Sequence, residues 1–253
     1  MITDISGAET LAIILLGAFI AGFTTGFAGF GTGLVASSLW FHALPALLVP
    51  PLVALASVAA QLVGLIAVRK AFDWRRATPF LVGGIVGVPL GVGALTVTSP
   101  DILRISVGFF LVAYAFIQLC GFAEFTIEYW GSWKADAAVG IGGGFLGGFA
   151  GLSGPLPLIW LQLRGGASDQ QRAIYQPFNL IVLSLASVGM AMSGHIDKSV
   201  LAIAGLCLPV TLGGAWLGAR AYRKVSERTF RRVVLTLLLV SGIILIGQTA
   251  LER

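Results

Sequence analysis

The stretch Gly26-Phe-Ala-Gly-Phe-Gly-Thr-Gly33 interrupts a long apolar run at residues 9–41. A near copy, Gly148-Phe-Ala-Gly-Leu-Ser-Gly-Pro155, interrupts a second run at 135–163, offset by 122 residues. One helical span of a bilayer needs roughly 20 residues, so both runs are too long for a single unbroken span. The repeated glycine pattern therefore predicts two broken helices, at matching places in two halves of the chain.

Composition indicates that the solvent of this protein is lipid. Of the 253 residues, 57% are hydrophobic and 11% are charged, whereas soluble domains carry about 25% charged residues. A water-exposed surface of this composition would carry large apolar patches. The net charge of +5 is concentrated beside apolar runs, above all at residues 220–232, which reports membrane orientation. We therefore expect a lipid bilayer, and no nucleic acid, around the protein.

Six further apolar stretches each fit one span, and three of them follow each broken run. They cover about 44–68, 77–97, 101–121, 174–193, 198–219 and 230–251. We divide the chain into a first repeat at 1–121, an interfacial aromatic linker at 122–134 and a second repeat at 135–253. Each repeat then holds one glycine-broken stretch and three ordinary spans.

The distribution of basic residues predicts the topology. If all eight stretches cross the membrane, nine Lys and Arg lie inside and seven outside, which is no bias. If the two broken stretches instead enter and return on the same side, thirteen lie inside and three outside. The second arrangement obeys the positive-inside rule. Each half then crosses three times, so the fold class is an all-α integral membrane protein of two inverted-topology repeats, each a re-entrant helical hairpin plus three transmembrane helices.

The two breaks are the predicted binding site. Broken backbone at membrane depth must be buried in protein or line a wet cavity, so the breaks should face each other or a pore. Each break opens a new helix whose N-terminal N–H groups and partial positive charge favour an anion. Gln176 and Asn179, which flank Pro177 in the sixth stretch, are added as possible path-lining residues. The candidate substrate-binding residues are Phe30, Gly31, Thr32, Gly33, Leu152, Ser153, Gly154, Gln176 and Asn179.

Other interpretations of these residues stay open. Glycines also let membrane helices pack closely, and a scaffold role is compatible with the composition. Gly151-Leu-Ser-Gly154, with His195 downstream, matches an intramembrane serine protease pattern, although His195 falls in a predicted loop. Asp101 and Asp136 lie at span edges, where solvated caps are expected. No metal site and no cofactor are predicted.

The second break resembles a known family signature. The residues Gly143-Gly-Phe-Leu-Gly-Gly-Phe-Ala-Gly-Leu-Ser-Gly-Pro-Leu-Pro-Leu-Ile-Trp-Leu-Gln-Leu-Arg-Gly165 resemble the second-half motif of the TauE/SafE sulfite exporter family, and 22–33 resembles its first-half motif. The resemblance implies a non-enzymatic, multi-pass transporter in a bacterial inner membrane. Its implied substrate is sulfite, or another sulfur-containing anion such as sulfoacetate. The resemblance by itself leaves the oligomeric state and the coupling ion open.

No acidic residue or histidine lies in the middle of a predicted span. A proton-coupled carrier usually needs such a group inside the membrane. The sequence therefore predicts uncoupled, electrogenic movement of the anion.

Overall fold

The computed structural model describes residues 7–68, 73–121, 132–165, 167–221 and 227–251, and this part of the chain is helical throughout, without strands. A short 3-10 turn, Ala46–Leu48, precedes the third helix. The ten α-helices of the described residues are α1 (Ala8–Ala28), α2 (Thr32–Ala43), α3 (Val49–Val68), α4 (Trp74–Val97), α5 (Pro100–Leu119), α6 (Trp133–Ala150), α7 (Pro155–Leu163), α8 (Ser168–Met192), α9 (Lys198–Ala221) and α10 (Glu227–Leu251).

Both glycine stretches are helix ends, as the sequence predicts. α1 stops at Gly29, with a φ of 80°, and α2 starts after Gly31, with a φ of 105°. α6 stops at Gly151, with a φ of 75°. Glycine adopts these left-handed conformations without steric cost, and a left-handed glycine is the commonest way to end a helix. The local backbone therefore explains why each long run divides into two arms.

The second arm of each broken pair returns along the first. The indole Nε1 of Trp40, near the end of α2, donates to the carbonyl oxygen of Ile14, near the start of α1, at 3.0 Å. The guanidinium of Arg164, just after α7, binds the carboxylate of Asp136, in the first turn of α6, at 2.8 Å. Each pair is therefore a hairpin whose tip is the glycine break.

The expectation that Asp136 is a solvated cap is wrong. Its side chain is buried and binds both Arg164 and the indole Nε1 of Trp160, the latter at 2.8 Å. Because α7 returns beside α6, these distant partners meet the carboxylate and replace the water that a span edge would supply. Asp101, in contrast, lies in the first turn of α5 with partial exposure.

Seven helices of the described part are long and apolar enough to cross a membrane, so the protein is a multi-pass membrane protein. The sequence predicts six spans, and the additional helix is α1, the 21-residue first arm of the first hairpin. Three helices are not among the seven. α2 and α7 are too short to cross a membrane, and α6 begins with charged residues. The predicted linker 122–134 lies mostly outside the described residues, and its last two residues begin α6.

Several helix pairs join the first half of the chain to the second. α1 packs against α9 and α4 packs against α6, while α3 meets α8 and α5 meets α10. If α1 corresponds to α6 and α4 corresponds to α9, then the contact of α1 with α9 is equivalent to the contact of α6 with α4. Gly26 of α1 lies against the Ala215 carbonyl, and Gly148 of α6 lies against the Val88 carbonyl. Part of each repeated motif thus serves close helix approach.

Two loops that an eight-crossing chain would separate lie at the same end of the bundle. The backbone N–H of Asp73, before α4, donates to the carbonyl oxygen of Ala173, near the start of α8, at 3.4 Å. Arg76, Asp136, Arg164 and residues of the first turn of α8 line a common cavity there. The starts of α4, α6 and α8 and the end of α7 therefore share one end.

We expect single cysteines at the exposed residues Arg75 and Lys198 to react from opposite sides of the membrane. Exposed Cys120 would first be replaced by Ser, while Cys207 is buried. In intact cells, a membrane-impermeant maleimide should label Lys198→Cys directly, and Arg75→Cys only after permeabilisation, because α8 separates the two positions by one crossing. Labelling of both variants from the same side would contradict the hairpin topology and support eight crossings.

Candidate functional site

The two glycine breaks meet in the interior of the molecule. A β-carbon added at Gly33 would lie 2.7 Å from the carbonyl oxygen of Gly151 and 3.0 Å from the side chain of Leu152. Gly33 begins α2 and Gly151 ends α6, so backbone of one hairpin tip touches backbone of the other. The expectation that the breaks face each other or a pore agrees with this contact.

A cavity with an empty volume of about 310 Å³, its opening included, lies at this contact. Both breaks line it, together with the middle parts of α3 and α8. Eight of the nine predicted residues take part: Phe30, Gly31, Thr32, Gly33, Leu152, Ser153, Gly154 and Asn179.

Gln176 is the predicted residue that does not line the cavity. It lies one turn before Asn179 on α8 and is buried. Its amide nitrogen lies near Gly29, where a β-carbon would approach it to 3.1 Å. The structure therefore places Gln176 against the end of α1, on the far side of the first break.

Thr32 is held by Thr25, a residue that the sequence interpretation missed. The backbone N–H of Thr32 donates to Oγ1 of Thr25 at 2.8 Å, and the two hydroxyls share a second hydrogen bond. Thr32 therefore serves mainly to close the break. Val35 N–H is the first to bond back along α2, to Gly31 at 3.0 Å, so the N–H groups of Gly33 and Leu34 have no acceptor within the helix.

Ser153 and Asn179 form the polar wall of the second break. The Ser153 hydroxyl donates to Oδ1 of Asn179 at 2.9 Å, which places the amide nitrogen on the other branch of the side chain. That nitrogen lies beside Gly154, where a β-carbon would approach it to 2.9 Å. The absence of a side chain at Gly154 thus leaves room next to an N–H donor.

The two helix starts are not equivalent as donors. α7 begins with Pro155 and has a second proline at 157, and proline has no backbone N–H. α2 begins Thr32-Gly-Leu and keeps its N–H groups. The first hairpin therefore supplies more backbone donors than the second, although both helix starts carry partial positive charge.

Ser57 and Gln61 on α3 are further site residues that the sequence interpretation missed. Both line the cavity and are 2% and 4% exposed. Within the described part of the chain, Ser57 Oγ and Gln61 Oε1 have no hydrogen-bond partner. A buried polar group without a partner costs about 1–3 kcal/mol. In this cavity Ser57 Oγ is therefore available to donate to a polar occupant, and Gln61 Oε1 is available to accept from one.

A repeat offset of 122 residues could have identified these two positions. It aligns Ser57 with Asn179 and Gln61 with Leu183, and all four line the cavity. A single polar residue in a span more often forms a hydrogen bond between helices. The sequence alone therefore did not distinguish Ser57 and Gln61 from such residues.

A model of the family described as sulfite exporter TauE/SafE matches residues 14–245. The chain belongs to the TauE/SafE sulfite exporter family. This match spans both hairpins and every helix that lines the cavity. The chain matches no curated protein and no solved structure. As a TauE/SafE protein with seven membrane-length apolar helices in its described part, it is a membrane transporter.

Nothing in this TauE/SafE structure supports a serine protease. Ser153 bonds to Asn179 in the middle of α8, whereas His195 follows the end of α8 at Met192. At 1.5 Å per residue, the 13 residues from 179 to 192 place that helix end about 20 Å away along the axis. A nucleophile needs its base within hydrogen-bond reach, and the structure does not bring these two side chains together.

We expect Gly33→Ala to reduce the transport rate about tenfold or more. A tenfold loss corresponds to a destabilisation of the transporting state by about 1.4 kcal/mol. The added methyl group would meet the Gly151 backbone, which cannot move as a flexible side chain can. Gly93→Ala is the matched control, because nothing lies within 4 Å of a β-carbon there. Flux in proteoliposomes, normalised to inserted protein, measures both. Equal flux from the two variants would contradict a functional contact between the breaks.

We expect Gln61→Leu to weaken anion binding while the melting temperature in detergent stays the same or rises. The amide N–H groups of Gln61 can donate to an oxyanion, and a hydrogen bond to a charged group is worth about 1.5–3 kcal/mol. Oε1 can only accept, so removing this unsatisfied buried atom stabilises the fold. Binding should therefore fall roughly ten- to hundredfold. Gln118→Leu provides the contrast, since Gln118 donates to Gln162 at 2.8 Å and its loss should lower the melting temperature. A large stability loss in Gln61→Leu would show that Gln61 is structural.

Proposed function

We propose that this protein exports a small sulfur-containing oxyanion, most readily sulfite, across the inner membrane of a bacterium. Membership in the TauE/SafE family supports the transporter class and the type of substrate. One observation carries the location of the site. The two helix breaks meet at a cavity whose walls hold two buried polar atoms, Ser57 Oγ and Gln61 Oε1, that have no partner among the described residues.

The chemistry of the cavity suits an anion. The start of α2 brings free N–H groups and the positive end of its helix dipole. The hydroxyl of Ser57 and the amide nitrogen of Asn179 are donors, and Gln61 contributes the N–H groups of its amide as well as the acceptor Oε1. No carboxylate is among the described residues that line the cavity, so an oxyanion meets donors without a competing negative charge.

We place the site near the midplane of two inverted-topology repeats with re-entrant hairpins. Three contacts support this arrangement: the returning arms at Trp40–Ile14 and Asp136–Arg164, and the Asp73–Ala173 contact between loops. The matching packing of α1 on α9 and α6 on α4 supports a two-fold relation between the halves. In transporters of this build, one repeat moves against the other and exposes a fixed site to each side in turn.

The transport is uncoupled and electrogenic. None of the described residues that line the cavity is acidic or a histidine, so none can carry a proton at physiological pH. A negative cell interior drives anions outward with about 2.3 kcal/mol per charge per 100 mV. A divalent anion gains about twice that, which supports an outward gradient of roughly three decades.

Proteoliposomes that contain the purified protein test the substrate and the driving force together. We expect efflux of sulfite in preference to sulfate, thiosulfate and sulfoacetate, because the family is described as sulfite exporters. At equal pH on both sides, an imposed potential should change the rate of sulfite efflux.

Two results would contradict separate parts of this proposal. Faster flux of sulfoacetate than of sulfite would assign the protein to a larger organic anion. Flux that ignores voltage but follows a pH gradient would replace the uncoupled mechanism with proton coupling, for which protonated sulfite itself could serve as the carrier of the proton.

A further inference from the structure

A second cavity adjoins the first at the tip of the first hairpin. Its empty volume is about 570 Å³, and we call it the vestibule. On one side it is bounded by the break at Phe30 and Gly31. On the other side lie the C-terminal ends of α5 and α7 and the N-terminal part of α10. Phe30, Gly31 and Leu34 line both cavities, so the two cavities share this wall.

One positive charge faces this space. Among the described residues that line the two cavities, Arg231 is the only charged one. The other walls of the vestibule are mainly apolar, with Leu235 and Leu238 of α10 opposite Phe27 of α1. An oxyanion that enters therefore finds one strong partner, at the start of α10.

A hydrogen-bond network orients the guanidinium of Arg231. It donates to Oε1 of Gln118 at the end of α5. The amide nitrogen of Gln118 in turn donates to Oε1 of Gln162 on α7 at 2.8 Å, and contacts the Tyr114 hydroxyl at 3.4 Å. The bond to Gln118 uses one of the five N–H donors of the arginine. The planar fork keeps donors for a two-point contact with an oxyanion.

Arg164 shows what a structural arginine looks like in the same protein. Its guanidinium binds the carboxylate of Asp136 through both oxygens, at 2.8 and 2.9 Å. Arg231 has a neutral amide in the corresponding role, and no carboxylate lines the vestibule among the described residues. A neutral partner orients the guanidinium without cancelling its charge.

We infer that Arg231 is an anion-capture site at the entrance of the transport path. The oxyanion binds first to the guanidinium in the vestibule, then passes Phe30 and Gly31 to the donors of the inner cavity. This inference rests on the proposed function. Because a tightly held anion could not move on, the site should hold its ligand weakly and raise the local concentration of anion.

The test modifies the charge at this position after the protein has folded. Arg231→Cys is made together with Cys120→Ser, reconstituted, and treated with either a cationic or an anionic methanethiosulfonate reagent. Sulfite transport is then measured against sulfite concentration, at low and at high salt. Arg231→Lys is a second variant, and Arg232→Gln is the control, because exposed Arg232 changes the net charge next door but lines a different surface groove.

We expect unmodified Arg231→Cys to raise the half-saturating sulfite concentration about tenfold, with a maximal rate within about twofold of wild type. Such a split identifies lost binding of the substrate. The cationic adduct and Arg231→Lys should restore most of the affinity, and the anionic adduct should lower it further. The salt dependence should weaken in Arg231→Cys, because screening acts on the charge that was removed. Arg232→Gln should behave as wild type.

Equal half-saturating concentrations for the cationic and anionic adducts would overturn the inference and make Arg231 a structural residue of the Gln118 network. So would a loss of maximal rate without a change of half-saturation. These outcomes are separate from failure of the proposed function, which would appear as absent sulfite flux in the wild-type protein.

Discussion

A helix that breaks inside a membrane must find partners for the backbone groups that the break exposes, because lipid provides none. In this protein those partners are side chains of α8 and of α1. Arg172 and Tyr175 of α8 donate to the carbonyl oxygens of Phe27 and Ala28 at the end of α1, at 3.0 and 3.1 Å. Thr25 accepts from the first N–H of α2. Once these groups are satisfied, the N–H groups next to the cavity are the ones left for a ligand.

The backbone at the two glycine breaks is packed by different kinds of side chain, although the two glycine motifs are similar in sequence. By the 122-residue offset, Tyr175 beside the first break corresponds to Val53, which lies against Gly151 at the second. The end of α1 therefore has polar partners from α8, and the end of α6 has apolar packing from α3. The site between them is accordingly uneven, with more backbone donors from α2 than from the proline-rich start of α7.

The two arginines Arg164 and Arg231 have different kinds of partner. Where an arginine holds two arms of a hairpin together, as Arg164 does, a buried carboxylate neutralises it. Breaking such a pair is costly, because one charge is left buried alone. Where an arginine lines a cavity, as Arg231 lines the vestibule, its described partner is an amide. The difference in partner separates a structural cation from one that can meet a mobile anion.

The sequence alone determined the membrane setting, the two breaks and eight of the residues around the cavity, because composition, glycine periodicity and helix-end chemistry are local properties. It also supplied the family resemblance, which the match over residues 14–245 confirms. Only the tertiary structure decided that Thr32 is held by Thr25, that Gln176 lies outside the cavity, that Asp136 is buried against Arg164, and that Ser57 and Gln61 lack partners. Each of these depends on which helices are neighbours. Neighbours across a fold are set by the packing of segments far apart in the chain, and hydropathy and spacing along one segment carry no information about them.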